Sequence, residues 1–91
     1  MPNLSQAEKK TLKARAHALK PVVIVGNAGL TDNVVTEIDL ALEHHELIKV
    51  RLNADDKKQR KEMSDKLEMD LSCDCIQIIG HVGIFYRKKI E

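Results

Sequence analysis

Gly26-Asn27-Ala28-Gly29 is the part of this 91-residue sequence best suited to chemistry. Paired glycines let a backbone turn sharply, adopt positive φ and approach another surface with no Cβ in the way. The apolar run Pro21-Val22-Val23-Ile24-Val25 leads into the loop, and Leu30-Thr31-Asp32 leads out of it into an amphipathic segment. A helix starting there directs unpaired N–H groups and the positive end of its dipole at the loop. That combination suits a phosphate oxygen. By loop chemistry alone, an ordinary tight strand-to-helix connection fits equally well. The nucleotide patterns are missing: Ala28 breaks G-x-G-x-x-G, and Leu30-Thr31 after Gly29 exclude G-x-x-x-x-G-K-[ST]. A G-x-x-G loop clamps nucleic-acid backbone in KH modules, but there it joins two helices, whereas this one follows a strand.

Basic side chains are the second candidate set. The net charge is only +1, yet 14 of the 15 Lys and Arg residues fall in three blocks. These are Lys9, Lys10, Lys13, Arg15 and Lys20; then Lys49, Arg51, Lys57, Lys58, Arg60 and Lys61; then Arg87, Lys88 and Lys89. Only Lys66 lies outside them, and the intervening stretches are acidic. Such segregation makes a local basic field that the net charge hides. Any single block is also explained as a solvated helix face. Lys57, Lys58, Arg60 and Lys61, however, crowd the start of a helix, where the dipole disfavours cations, so a partner for them is expected. Several Lys and Arg contacts to phosphate give salt-sensitive, sequence-independent binding.

Other chemistries find little support. Cys73-Asp74-Cys75 lacks the spacing and further ligands of structural zinc, and His17, His44, His45 and His81 show no matching pair. The cysteines read as small strand residues. Ser5, Ser64 and Ser72 lie in no nucleophile-elbow motif, so no catalytic residue, metal or cofactor is expected. With one Tyr, one Phe and no Trp, the pair Tyr86 with Phe85 reads as core and sheet edge rather than a base-stacking platform.

The elements that must position these residues fit one modest core and one domain spanning residues 1–91. A hydrophobic content of 43% beside 32% charged residues indicates a folded, soluble chain. No apolar run approaches the ~20 residues that cross a bilayer. Met1-Pro2-Asn3-Leu4-Ser5 shows no secretory signal, and two closely spaced cysteines suit a reducing, cytoplasmic setting.

Residues 5–19 predict a helix opened by a Ser5/Glu8 capping box, with Leu12, Ala16 and Leu19 as its apolar face and Lys9, Lys13, His17 and Lys20 beside it. Pro21 ends it. The continuous apolar run 22–25 predicts a central strand buried on both faces. Thr31 caps a second helix running to about His45, with Val34, Ile38, Ala41 and Leu42 as its core stripe. Residues 47–53 alternate, placing Ile48, Val50 and Leu52 inward and Lys49 and Arg51 on a basic face. Asp55 or Asp56 caps a third helix, Asp56 and Gln59 forming a possible capping box, with Met63, Leu67 and Leu71 inward. Residues 74–79 and 82–88 predict two strands joined by a turn containing Gly80, His81 and Gly83. The order α-β-α-β-α-β-β implies an α/β fold with a mixed four-stranded sheet: parallel strand–helix–strand units closed by an antiparallel hairpin.

The stretch Ile24-Val25-Gly26-Asn27-Ala28-Gly29-Leu30-Thr31, then Glu37-Ile38, then Ala41 to Val50, and the ending Ile79-Gly80-His81-Val82-Gly83-Ile84-Phe85-Tyr86-Arg87 together resemble the CRM domain (chloroplast RNA splicing and ribosome maturation). The resemblance covers nearly the whole chain and is nearest to the bacterial stand-alone, YhbY-like branch. It implies a fold like the C-terminal domain of bacterial translation initiation factor three and a module that binds structured RNA. The bacterial branch is associated with precursors of the large ribosomal subunit, and plant relatives with intron splicing. The family's glycine loop falls on Gly26, Asn27, Ala28 and Gly29. Many members carry a basic residue inside that loop, where this chain has Asn27 and Ala28, so phosphate contact would rest on backbone N–H groups, the Asn27 amide and nearby lysines.

The expectation is thus an RNA-binding domain without enzymatic activity. Gly26 to Gly29 with Leu30 and Thr31 would grip backbone phosphate, next to an unfavourable Asp32. Lys9, Lys13, Lys20, Lys49, Arg51, Lys57, Lys58, Arg60, Lys61, Arg87 and Lys88 would extend the contact. Structured RNA, ribosomal RNA by resemblance, is the expected partner, with no membrane and no small-molecule substrate. One rival is a protein-interaction module docking on a ribosomal protein through acidic Glu37, Asp39 and Glu43; another is a nuclease acting on RNA.

Overall fold

The computed structural model describes residues 4–89. Part of the amino-terminal stretch read for a leader, residues 1–3, lies outside the described residues. The elements are α1 (Gln6–Ala16), β1 (Pro21–Val25), α2 (Asp32–His45), β2 (Leu47–Leu52), α3 (Lys57–Leu71), β3 (Asp74–Ile79) and β4 (Val82–Tyr86). The order is the one the sequence predicts. The sheet runs β1-β2-β4-β3, with β1 parallel to β2 and β4 antiparallel to both β2 and β3.

Two apolar layers sandwich the sheet unequally. On one face Ile38 and Leu42 of α2 and Leu67 of α3 close over Val23, Val25, Ile48, Val50, Leu52 and Phe85. On the other face α1 covers less, laying Leu12 and Ala16 on Leu47, Ile76 and Ile84. Strand alternation produces this split: Leu47, Lys49 and Arg51 face α1's side while Ile48, Val50 and Leu52 face α2 and α3.

Several expectations need correction. β1 is an edge strand, not a central one; Val22 and Ile24 are 51% and 62% exposed while Val23 and Val25 are buried. A continuous apolar run does not reveal that the described residues leave its outer face largely open. α1 ends at Ala16 rather than near residue 19, because the chain tightens into short-range N–H bonds from Ala18 to Arg15 and Leu19 to Ala16 before Pro21. Leu19 is therefore partly exposed, and Lys20 lies off the helix, so it shares no stripe with Lys9, Lys13 and His17. Asp56 caps α3 by accepting from Lys58 N–H at 3.0 Å, without Gln59 completing a box. The final strand stops at Tyr86 and contains Gly83, which lies beyond the turn.

The capping box of α1 is present. Ser5 Oγ accepts from Glu8 N–H, and Glu8 Oε1 accepts from Ser5 N–H, both at 3.1 Å. The Ser5 backbone N–H and then its hydroxyl hold the Glu8 carboxyl below its ordinary value. No helix among the described residues is long and apolar enough to cross a membrane.

Candidate functional site

Parallel β1 and β2 bring their carboxyl ends to one edge of the sheet. There the β1–α2 loop (26–31), the β2–α3 loop (53–56) and the β3–β4 turn (80–81) converge, because Asn53 N–H bonds Val25 O at 3.0 Å and Leu52 N–H bonds His81 O at 2.6 Å. Both α2 and α3 begin at this edge. Crevices outside the carboxyl ends of strands are where open α/β sheets bind ligands.

The glycine loop is held by Gly29 N–H to Gly26 O and Thr31 N–H to Gly29 O, each 3.0 Å. Gly29 has φ +77°, the left-handed region where a side chain strains the backbone. Gly26 has no such requirement, and a Cβ on either glycine would meet open space. Among the described residues nothing accepts from the N–H groups of Asn27, Ala28 and Leu30. Thr31 Oγ1 accepts from Val34 N–H at 3.3 Å, which leaves the earlier donors of α2 unused. The loop thus presents a set of outward donors at a helix start. Leu30 contributes only its backbone, since its side chain packs on the core, and Thr31 serves as the cap.

The basic residues do not form one surface. Lys49 and Arg51 stand on the α1 side of the sheet, Arg51 directly beside Ile24, two residues before the loop. Lys57 and Lys58 are exposed at the start of α3, on the loop edge. Arg60 is taken up internally, whereas Lys61 stays exposed in a surface pair. Arg60 donates from Nη1 to Ala54 O at 2.6 Å and to Asp55 O at 3.1 Å, fastening the β2–α3 loop, with its Nε buried and unpartnered. Lys61 pairs with Asp65 at 2.9 Å, a hydrogen bond that raises the lysine's pKa.

Arg87 is also committed. Its Nη1 meets Asp39 Oδ1 at 2.7 Å and Leu71 O at 3.0 Å, and its Nη2 meets Asp39 O at 3.0 Å. Tyr86 pairs with Leu47, at the far end of β2 from the loop. Five residue steps separate that end from Leu52, about 17 Å of strand. Arg87 and Lys88 are therefore remote from the glycine loop. Lys9 and Lys13 lie on α1, over the sheet at that same end, and Lys20 precedes β1.

Sequence reasoning missed Lys66, Asn53 and His81. Lys66 lines a groove of about 600 Å³ beside Gly26 and Asn27, together with Asp55, Asp56, Gln59 and Glu62. The signal was helical spacing, since Gln59, Glu62 and Lys66 fall on one side of α3. His81 Nε2 stands 3.9 Å from Asp55 Oδ1 across the same edge. This side of the loop is mostly acidic, while the Lys49–Arg51 side is basic.

Cys73 and Cys75 are free thiols. Burial pushes Cys73 up to about 12 and Cys75 to about 11, so neither is a ready nucleophile. Among the described residues no group of His, Cys, Asp and Glu is arranged to hold a metal ion.

The profile of the CRS1 / YhbY (CRM) domain matches residues 4–87. An RNA-binding protein of Haemophilus influenzae is 40% identical over 91 residues, covering 100% of this chain and 92% of the relative. A probable RNA-binding protein of Pseudomonas aeruginosa is 42% identical over 86 residues, 94% of this chain and 83% of the relative. The solution structure of a Staphylococcus aureus protein, described as a candidate RNA-binding protein, superposes with a TM-score of 0.86 at 30% identity, covering 98% of this chain and 93% of that one. Matched from its first helix through its closing hairpin, the chain belongs to the CRS1/YhbY (CRM) domain family.

Proposed function

We propose that residues 1–91 form one RNA-binding domain that carries out no chemistry and grips the phosphate backbone of structured RNA at the Gly26–Gly29 loop. The observation that carries this reading is the row of unused N–H donors on Asn27, Ala28 and Leu30, continuous with the start of α2 and next to Arg51. Such donors favour phosphate oxygens, and the helix dipole adds to them. The names of the relatives point the same way. Lys49, Arg51, Lys57 and Lys58 supply charge around the loop. Arg60 and Arg87 are engaged within the chain and contribute little, while Lys61 stays exposed farther along α3. By resemblance, the RNA is ribosomal RNA and the role is assembly of the large ribosomal subunit, in the cytoplasm.

Titration of ribosomal RNA across a salt series, with wild type beside Gly26→Asp, tests this. Gly26 is the better probe than Gly29, because a side chain there meets open space and brings no left-handed strain. A steep salt slope, with affinity lost in a folded Gly26→Asp variant, is expected. Equal binding by both proteins would remove the loop from the site.

The second reading docks α2 on a ribosomal protein. Leu40, 49% exposed between Glu37 and Glu43 on the outward side of α2, favours it, although Asp39 is occupied by Arg87. It predicts that Glu37→Lys with Glu43→Lys abolishes association with ribosomal particles while naked RNA still binds.

A further inference from the structure

Beyond the end of α1, no described residue covers one face of the sheet. The register aligns a row across all four strands on that face: Ile24 beside Arg51, Arg51 beside Val82, Val82 beside Ile79. Three strand spacings make it about 14 Å wide. Ile24 and Ile79, at its two edges, are 62% and 56% exposed. The next row holds Lys49 beside Ile84, and a shallow hollow of about 210 Å³ runs along it, lined by Pro21, Lys49, Ile79, Val82 and Ile84. That is less than the ~300–1,000 Å³ typical of a small-molecule site. Exposed apolar side chains gathered on one face mark an interaction surface.

Charge decides the occupant. The two rows contain two cations and no carboxylate, while the groove on the opposite side of the glycine loop sets Asp55, Asp56 and Glu62 against Lys66 alone. A polyanion leaving the loop is repelled from that groove and drawn across the sheet. Lys49 and Arg51 stand about 7 Å apart along β2, a spacing that successive phosphates of an extended strand can match. A duplex would set its charged backbone against Ile24, Val82 and Ile79. Unpaired bases instead offer flat apolar faces to them, and the Arg51 guanidinium can stack on a base as well as bond a phosphate.

We propose that the row Ile24–Arg51–Val82–Ile79 receives unpaired nucleotides of the bound RNA, continuing from a phosphate held at the glycine loop. This rests on the reading of the loop as the phosphate grip. Phe85 is fully buried and Tyr86 packs beside α1's contacts, so aliphatic side chains and one guanidinium form the base platform.

The test compares a blunt RNA hairpin with the same hairpin carrying an unpaired flank of about four nucleotides, a length in the range that single-strand-binding surfaces occupy. Wild type, an Ile24→Ser/Ile79→Ser double variant and Gly26→Asp are titrated with both. Ile24 and Ile79 are exposed, so the double variant keeps its fold, checked by circular dichroism. Wild type is expected to bind the flanked hairpin about tenfold more tightly, given the typical value of base stacking. The double variant should lose that preference and keep its affinity for the blunt hairpin. Gly26→Asp should weaken binding to both. Equal wild-type affinity for the two RNAs, or a preference surviving in the double variant, overturns the proposal and leaves the loop reading standing. No wild-type binding to either RNA overturns the loop reading and the proposal together. A double variant that binds both RNAs like wild type but no longer sediments with ribosomal particles assigns the face to a protein and also overturns it.

Discussion

Arg87 and Asp39 join the last strand to the second helix through a 2.7 Å ion pair, 48 residues apart in sequence. The same guanidinium bonds the carbonyls of Leu71 and Asp39, so one side chain ties together β4, α2 and the end of α3. The sequence places Arg87 in a basic block; the structure makes it a clamp.

Replacing Arg87 should therefore act on stability before binding. Arg87→Ala removes the partner of the half-exposed Asp39 carboxylate and of the Leu71 carbonyl at the end of α3, and is expected to cost about 1–2 kcal/mol. Arg87→Lys should recover only part of this, because an ammonium cannot span three acceptors in that geometry. Urea unfolding reads the loss. RNA affinity of the folded variant should stay within twofold of wild type, and a large drop without destabilisation would return Arg87 to the interface.

Three of the four glycines should separate into distinct responses. A Cβ on Gly83 would stand 2.6 Å from Phe85 Cε2 and 3.1 Å from its Cζ, inside the core. Gly83→Ala should destabilise by about 1–3 kcal/mol through overpacking. Gly29→Ala should cost about 1–2 kcal/mol by forcing a side chain into the left-handed region. Gly26→Ala should leave stability nearly unchanged. Thermal melts of the three variants order them, and a Gly26→Ala loss as large as that of Gly83→Ala would refute the assignment.

Element order, cap residues and inward stripes were legible because periodicity and capping are local properties. Ser5, Glu8 and Thr31 cap as their types dictate, and Ile38, Leu42, Leu67 and the alternating residues of β2 face inward as their spacing dictates. Beyond local errors at element ends, such as the early stop of α1 and the missing Gln59 half of a capping box, what failed depended on neighbours distant in sequence. Val22 and Ile24 look buried in a run of valines and isoleucines, but strand order puts them at an uncovered edge. Arg60 and Arg87 look like free charge until the acceptors around them are known. The glycine loop was legible as a site, and its surroundings were not, since Lys66 and His81 reach it only through the fold.

The two cysteines make a pH dependence. Folding raises both thiols above their ordinary value of 9.0, to about 12 for Cys73 and about 11 for Cys75, chiefly by burial. Between those limits the folded chain holds protons that the unfolded chain has lost. The stabilisation is fully present below pH 9 and disappears as pH rises through 11 to 12. Cys73→Ala with Cys75→Ala should flatten this alkaline decline in chemical denaturation. At pH 8 a maleimide should modify Cys73 only as fast as the chain unfolds, and rapid labelling of the native protein would contradict its burial.

Position, not number, should set which cations matter. Lys49→Gln/Arg51→Gln and Lys88→Gln/Lys89→Gln each remove two charges, so both double variants share one net charge. In the first pair Arg51 stands beside Ile24 near the glycine loop, with Lys49 two residues back on the same face of β2; the second follows β4 at the opposite end of the sheet, about 17 Å from the loop along the strand. That distance exceeds the Debye length of ~8 Å at physiological ionic strength, so the second pair is screened from a phosphate at the loop. The Lys49/Arg51 variant should lower the slope of log affinity against log salt by about 1–2 for RNA, and the Lys88/Lys89 variant should leave it unchanged. Equal reductions would mean that the RNA spans the whole sheet or responds only to net charge, and either result would move the interface away from the loop edge.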